Sequence, residues 1–241
     1  MADRALAGQV AIVTGAGRGI GRAIAESFGA AGASVVLASR TTADLEHVGK
    51  TIEAAGSRAL VVPTDVTSEA DVERLVARAV SGFGRVDLLA TAAGVASFGF
   101  VAESKPRDWD GMLAVNLRGM MLACHAVLVP MLRQGRGTII NVASVAAQRP
   151  IPGAAAYSAT KAAVIACSRV LAEELLKGGV RVGVLVPGAV DTPLWDTIQG
   201  GPDRAKMLRP DDVARGAMLM ATLPPGATLE ELTVLPAGGI L

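Results

Sequence analysis

The sequence predicts an α/β fold: a single Rossmann-type, doubly wound parallel sheet of seven strands with helices on both faces. Three observations carry this. Short β-branched apolar runs alternate with longer stretches of helical periodicity from one end of the chain to the other. Those runs are apolar at nearly every position, as strands covered on both faces must be. A glycine cluster follows the first run directly, where an open α/β sheet turns into its first helix.

The elements follow in order. Gln9–Val13 is the first strand, with a helical stretch over 19–31; Ser34–Ser39 is the second, with 42–55; Ala59–Val62 is the third, with 68–83. Val86–Ala90 precedes a long apolar helical pattern over 108–134, Thr138–Ala143 precedes 155–177, Arg181–Val186 precedes 211–223, and Leu232–Leu235 closes the series. Parallel neighbours need right-handed crossovers, which these helices supply. No Pro/Gly/Ser-rich linker and no repeat divides the chain, so residues 1–241 are expected to form one domain. The stretch Pro193–Pro210, broken by Gly200-Gly201-Pro202, is expected as a structureless lid over a substrate, because it follows a strand's C-terminal end.

Composition excludes several classes. With 241 residues, 51% of them hydrophobic, and 23 basic against 22 acidic side chains, the chain is globular and lacks the charge that draws proteins to nucleic acid. Uncharged apolar stretches such as Leu88–Ala102 fall short of the roughly 18 to 20 residues a membrane span needs. The first residues show no signal-peptide pattern, and Cys124 and Cys167 are too far apart for a CxxC motif, so free thiols in a cytoplasmic setting are expected. His47 and His125 have no carboxylate or cysteine at ligand spacing, which argues against a metal. No serine occupies a G-x-S-x-G elbow, which disfavours hydrolase chemistry. Gly49-Lys50-Thr51 looks like a P-loop tail, but Asp44 stands where its first glycine belongs.

The segment Thr14-Gly15-Ala16-Gly17-Arg18-Gly19-Ile20-Gly21 joins first strand to first helix. Its glycines permit a tight turn and close approach of a pyrophosphate to free N–H groups at the helix start; a turn without a ligand is the plainer alternative. The second strand ends Ser39-Arg40, without the carboxylate that would hold the ribose 2′-hydroxyl of NAD. Arg40, Ser39 and the loop's Arg18 suit a 2′-phosphate, pointing to NADP, and Asp44 is too far along to be the ribose acid. Asp65 fits either an adenine amino contact or a helix cap beside Thr67 and Ser68.

Chemistry is expected around the only tyrosine, Tyr157, with Lys161 four residues on. The i,i+4 spacing shares a helix face, so the ammonium can favour the phenolate; a packed ring beside a solvated lysine is the alternative. Ser144 ends the buried strand before it and could bond a substrate carbonyl oxygen, or simply form a turn. Asn116, polar within an apolar helix, needs a partner if buried, and its carbonyl could hold a water next to Lys161.

Together these residues resemble the short-chain dehydrogenase/reductase family over nearly the whole chain, in order. Thr14, Gly15, Gly19 and Gly21 match its TGxxxGxG loop, and Asn116, Ser144, Tyr157 and Lys161 match its catalytic tetrad. The resemblance further implies cofactor contacts from Ile20, Asp65, Val66, Ala92, Gly94, Tyr157, Lys161, Pro187, Gly188, Val190 and Thr192, the last at the nicotinamide amide. Ser39, Arg40 and Arg18 look like the NADP-preferring members, those similar to 3-oxoacyl-carrier-protein reductases. Two departures stand out. Thr91-Ala92-Ala93-Gly94 replaces Asn-Asn-Ala-Gly, removing two amides that tie strands together, and Pro236-Ala237-Gly238-Gly239 replaces the frequent Asp-Gly-Gly.

The resemblance implies hydride transfer between NADPH and the carbonyl of an apolar ketone or 3-oxoacyl substrate, reversible as alcohol oxidation. Ser144 would polarise the carbonyl, Tyr157 donate the proton, Lys161 lower its pKa and hold the ribose, and Asn116 carry a water. Val95, Ala96, Phe98, Val145, Ala146, Ile151, Val190, Leu194, Trp195 and Ile198 would surround the substrate, with Arg133, Arg136 and Lys177 weighed as a basic rim against a plain solvated surface. The helices bearing Asn116 and Tyr157 are apolar around most of their circumference, which suggests a buried second face; the resemblance implies that such helices pair between subunits of a homo-oligomer, dimer or tetramer, with Cys124 and Cys167 inside that packing. An NAD-linked alcohol dehydrogenase and a non-catalytic dinucleotide sensor are the competing readings.

Overall fold

A computed structural model describes residues 4–198, 201 and 203–239. Seven parallel strands lie in the order β3-β2-β1-β4-β5-β6-β7: β1 Val10–Thr14, β2 Ser34–Ser39, β3 Ala59–Pro63, β4 Leu88–Thr91, β5 Gly137–Val142, β6 Val180–Pro187 and β7 Glu231–Val234. The order reverses between β1 and β4, which opens a crevice there at the strands' C-terminal ends. Successive side chains of a strand point to opposite faces, so each strand feeds two cores. Ala11, Val13, Val35 and Leu37 meet α1 (Gly19–Ala30), α2 (Thr42–Ala54) and α7 (Pro210–Ala221) on one face. Val10, Ile12, Val36 and Ala38 meet α3 (Glu69–Phe83), α5 (Met120–Gln134) and α6 (Ala155–Leu175) on the other.

Three local expectations are corrected. The helix expected over 108–134 starts earlier, as α4 (Pro106–Met112), with Pro106 at its first position where a missing N–H costs nothing. A π-helical turn, Leu113–Gly119, separates it from α5 and accommodates two intrusions: Asn116 is bonded sideways, and Gly119 lies where a Cβ would come within 2.8 Å of Val66. The whole run 106–134 is long and apolar enough, by length and composition alone, to cross a membrane. Its charges are few but spaced so that no long uncharged stretch marks it; in the fold Met120, Ala123, Cys124, Val127 and Met131 pack against the sheet. The fourth strand begins at Leu88 rather than Val86, because both backbone groups of Val86 are taken by the Gln134 side chain, at 3.1 and 2.8 Å.

The stretch after β6 is not structureless. It forms 3-10 turns over Pro193–Thr197 and Arg204–Lys206, and Val190 bridges Leu208. Arg204 holds the turns together, bonding Asp191 at 2.5 Å, Asp196 at 2.7 Å and the Thr192 carbonyl at 3.1 Å. Gln199, Gly200 and Pro202 lie outside the described residues.

The departure at the end of β4 is compensated. The Thr91 hydroxyl donates to Asn141 Oδ1 at 2.7 Å, Asn141 Nδ2 donates to Ser168 at 2.9 Å, and Ser168 donates to the Val164 carbonyl at 2.7 Å. This relay ties β4, β5 and α6 with every buried polar group partnered. At the other departure, Pro236 packs on Gly188, whose N–H bonds the Val234 carbonyl at 2.8 Å.

Candidate functional site

Along the crevice at the strands' C-terminal ends runs one cleft of about 690 Å³. The turn after β1 shapes its near wall. Gly15 has a φ of +67°, and a Cβ on it would lie 2.8 Å from the Ala92 carbonyl; a Cβ on Gly21 would lie 2.2 Å from the Gly15 carbonyl. Only hydrogens fit, so the backbone folds flat against the start of α1 and leaves room above. Gly15, Arg18, Gly19, Ile20 and Gly21 line this wall. Thr14 does not; buried behind the loop, it accepts a bond from Ala93 N at 3.3 Å, so it braces the loop rather than facing the cleft.

At the outer end lie Ser39, Arg40, Asp65 and Val66, with both Arg18 and Arg40 exposed. Ser39 Oγ is the one buried side-chain polar atom among the described residues without a hydrogen-bond partner. Asp65 is not the cap of α3, because Ser68 fills that place, accepting from Asp71 N at 3.3 Å. Instead its Oδ1 accepts from the Thr67 backbone at 2.9 Å and hydroxyl at 2.8 Å, and those bonds, with Arg40 nearby, hold its carboxyl below the usual range. Asp44, although far along in sequence for a ribose acid, borders the cleft: a Cβ on Gly17 would lie 2.9 Å from Asp44 Cβ. The signal for this was Asp44's place in the first turn of a helix that starts at the end of β2.

Ala92 and Gly94 form the floor, and Pro187, Gly188, Val190 and Thr192 the far wall. Thr192 reaches across to the glycine loop, its methyl within 3.2 Å of a Cβ on Gly19.

The inner end gathers Ser144, Tyr157 and Lys161. Strand β5 stops at Val142, so Ser144 leaves the sheet extended and its hydroxyl accepts from Ala146 N at 3.2 Å, fixing the turn that follows. Tyr157 and Lys161 stand one turn apart on α6, the ammonium 5.9 Å from the phenol ring centre. Lys161 is only 6% exposed and donates to the Val142 carbonyl at 2.9 Å; burial brings its pKa down to about 8. Burial pushes the Tyr157 phenol up, while the Ser144 hydroxyl opposes this. The lowering expected from Lys161 does not outweigh burial: its ammonium bonds Val142 O, and its charge acts on the phenol from one helix turn away.

Asn116 stands behind the wall, 2% exposed. Its side-chain carbonyl, expected to hold a water, accepts from Val95 N at 2.8 Å, while its Nδ2 donates to Val95 O at 2.9 Å and Thr160 Oγ1 at 3.1 Å. Thr160 in turn donates to the Tyr157 carbonyl at 2.7 Å, so Asn116 couples the segment after β4 to the helix bearing Tyr157.

The substrate end is apolar. Val95, Phe98, Val145, Ala146, Ile151, Val190, Leu194, Trp195 and Ile198 line it as expected; Ala96 does not. The candidate basic rim is on the opposite side of the molecule, since Arg133 and Arg136 precede β5, Lys177 precedes β6, and Arg136 pairs with Asp87 at 3.5 Å.

Comparison with known proteins follows the same outline. The family model for short chain dehydrogenase matches residues 9–202. An uncharacterized oxidoreductase of Staphylococcus aureus (strain MRSA252) is 38% identical over 231 residues, covering 96% of this chain and 98% of that one. A metagenomic short-chain oxidoreductase solved in complex with NADP is 36% identical, with a TM-score of 0.85 over 97% of this chain and 99% of that chain. A 3-ketoacyl-(acyl-carrier-protein) reductase from Brucella melitensis, complexed with NADH, is 34% identical, with a TM-score of 0.88 over 96% and 98%.

Proposed function

The chain belongs to the short-chain dehydrogenase family and is an NAD(P)-dependent oxidoreductase, and from that premise we propose that it uses NADPH to reduce the carbonyl of an uncharged apolar ketone or 3-oxoacyl compound. One observation carries the reading: Ser144, Tyr157 and Lys161 converge on the inner end of a cleft whose outer end offers Arg18, Ser39 and Arg40.

The residues present suit a nicotinamide dinucleotide. The glycine cradle is closed to any Cβ, and Ser39 Oγ is buried without a partner beside two exposed guanidinium groups. Arg18 and Arg40 would hold a 2′-phosphate by charge-assisted bonds, and Gly15, Gly19, Ile20 and Gly21 would receive the pyrophosphate at the start of α1. Asp65, Val66, Ala92 and Gly94 would border the adenosine and riboses, and Pro187, Gly188, Val190 and Thr192 the nicotinamide. When bound, the cofactor supplies the hydride.

The chain's own residues handle the oxygen. Ser144 donates a hydrogen bond to the carbonyl oxygen and fixes its direction. Tyr157 passes its phenolic proton to that oxygen as the alcohol forms, and the phenolate regains a proton from solvent. Lys161, cationic at neutral pH because its pKa stays near 8, stabilises the phenolate and holds the nicotinamide ribose. Asn116 acts one step back, as a positioning residue for Val95 and the α6 helix. The same groups run in reverse for alcohol oxidation.

Large apolar side chains stand exposed on α5 and α6, including Met121 at 50%, Val129 at 52% and Val170 at 59%, and we assign this face to a homo-oligomer of two or four copies. The two thiols, both free, suit a cytoplasmic protein.

The test is consumption of NADPH, followed by its absorbance, across a panel of uncharged ketones, with the alcohol product quantified and dissociation constants measured for NADPH and NADH. Ketone-dependent turnover with NADPH bound more tightly is expected. Equal affinity for the two cofactors would remove the 2′-phosphate assignment, and cofactor binding without turnover would favour a sensor.

A further inference from the structure

The chain's single tyrosine, one of its two tryptophans and one of its four phenylalanines meet at the substrate end of the cleft. The Phe98 ring lies 5.7 Å from the Tyr157 ring, centre to centre, tilted by 47°. On its other side it lies 5.9 Å from Trp195, nearly parallel at 13°. Admitting a further flat ring between two rings takes about 7 Å, one van der Waals separation on each side, so Phe98 and Trp195 form a closed surface rather than a slot.

Both rings are held from behind. Phe98 is carried on an irregular segment, yet the backbone around it is pinned at three points: Val95 by the Asn116 amide, Ser97 N by Met112 Sδ at 3.4 Å, and Gly99 N by the Gly153 carbonyl at 2.8 Å. The Trp195 indole N–H donates to the Val190 carbonyl at 3.0 Å, and Gly201 packs on its edge, where a Cβ would come within 2.9 Å. A wall fixed in this way cannot yield cheaply to a bulky group beside the reacting carbon. Its neighbours Val145, Ala146, Ile151 and Leu194 carry no charge.

We propose that Phe98, backed by Trp195, is the specificity-determining residue of the substrate end: it sets an upper size on the group beside the carbonyl and selects compact, uncharged ketones against fused-ring aryl ketones. This rests on the carbonyl-reductase reading and narrows its substrate class.

The experiment compares kcat/KM for ethyl 3-oxobutanoate and 2-acetylnaphthalene in the parent, Phe98→Leu, Phe98→Ala and Trp195→Ala proteins. Binding of 2-acetylnaphthalene to each NADP-saturated protein is titrated in parallel, and NADPH affinity reports whether each variant keeps a folded cleft. The parent should favour the compact ester. Phe98→Ala should raise the naphthyl-to-ester ratio at least tenfold, with Phe98→Leu between it and the parent and Trp195→Ala moving in the same direction. A ratio within twofold of the parent in variants that bind NADPH overturns the proposal. If the parent reduces neither ketone, the reductase reading fails; tighter naphthyl ketone binding to Phe98→Ala would then still support the wall, and unchanged binding would remove it as well.

Discussion

Where the strands begin, Asp87 accepts bonds from Val10 N at 2.9 Å and from Arg85 at 2.7 and 2.5 Å, with Arg136 at 3.5 Å. Arg181 there spreads over Thr138 and the carbonyls of Leu223, Pro224 and Ala227. Where the same strands end, Ser39 Oγ has no partner, the buried Lys161 ammonium has one carbonyl, and Arg18 and Arg40 are exposed. One edge of the sheet has its polar groups satisfied by its own chain; the other keeps donors and charges in reserve. Stability and ligand-facing chemistry are thus divided between the two edges. An unsatisfied buried group costs free energy until something fills its site, so such groups collect where a ligand will.

Substitutions at the two edges should therefore have opposite signatures. The largest effect is expected at the open edge from Tyr157→Phe, which removes only the phenolic hydroxyl. Turnover should fall by about 10² to 10⁴-fold, while NADPH affinity stays within a few fold. A variant reducing ketones at the parent rate would assign the proton to another group. At the closed edge, Asp87→Ala should cost about 2 to 3 kcal/mol, leaving Arg85 and the Val10 N–H without their partner. Thermal melting should drop by several degrees while kcat/KM is retained; loss of activity in the folded variant would show that the edges are coupled.

Next in size, Arg40→Asp should weaken NADPH binding by about 10- to 100-fold and turn preference toward NADH, since a charge-assisted bond contributes roughly 1.5 to 3 kcal/mol. Unaltered preference would place the 2′-phosphate elsewhere. The smallest effect carries the opposite sign. Burial lowers the folded-state pKa of Lys161 from 10.5 to about 8, so the ammonium is a cost in the folded protein. Below pH 8 both folded and unfolded states hold the proton, and the penalty is constant. Between pH 8 and 10.5 the unfolded chain holds more of it, so stability rises with pH. Lys161→Met should thus raise stability at neutral pH by about 1 to 2 kcal/mol. Melting curves at pH 7 and 10 should show that advantage shrinking; an equal advantage at both would mean the lysine is not the cause.

Much of this division was legible in the residues. The alternation of apolar runs with helical periods sets a parallel sheet, because each strand must bury two faces and each crossover needs a helix. Glycines at 15, 19 and 21 announce a close backbone approach, and the four-residue spacing of Tyr157 and Lys161 places them on one helix face whatever surrounds them. These are short-range consequences of chain geometry and follow from local residue order alone. Long-range packing settles what depends on side chains meeting across wide separations in the chain. Asn116 spends its amide on Val95 and Thr160, and Lys161 turns to Val142. Thr91 and Asn141 replace the missing pair of amides, and Arg204 orders a stretch that reads as loop. Asp44 comes to the cleft wall, and Phe98 settles between Tyr157 and Trp195. Each of these outcomes is a choice among partners that only the packed sheet brings within reach, and neither local propensity nor spacing ranks those partners.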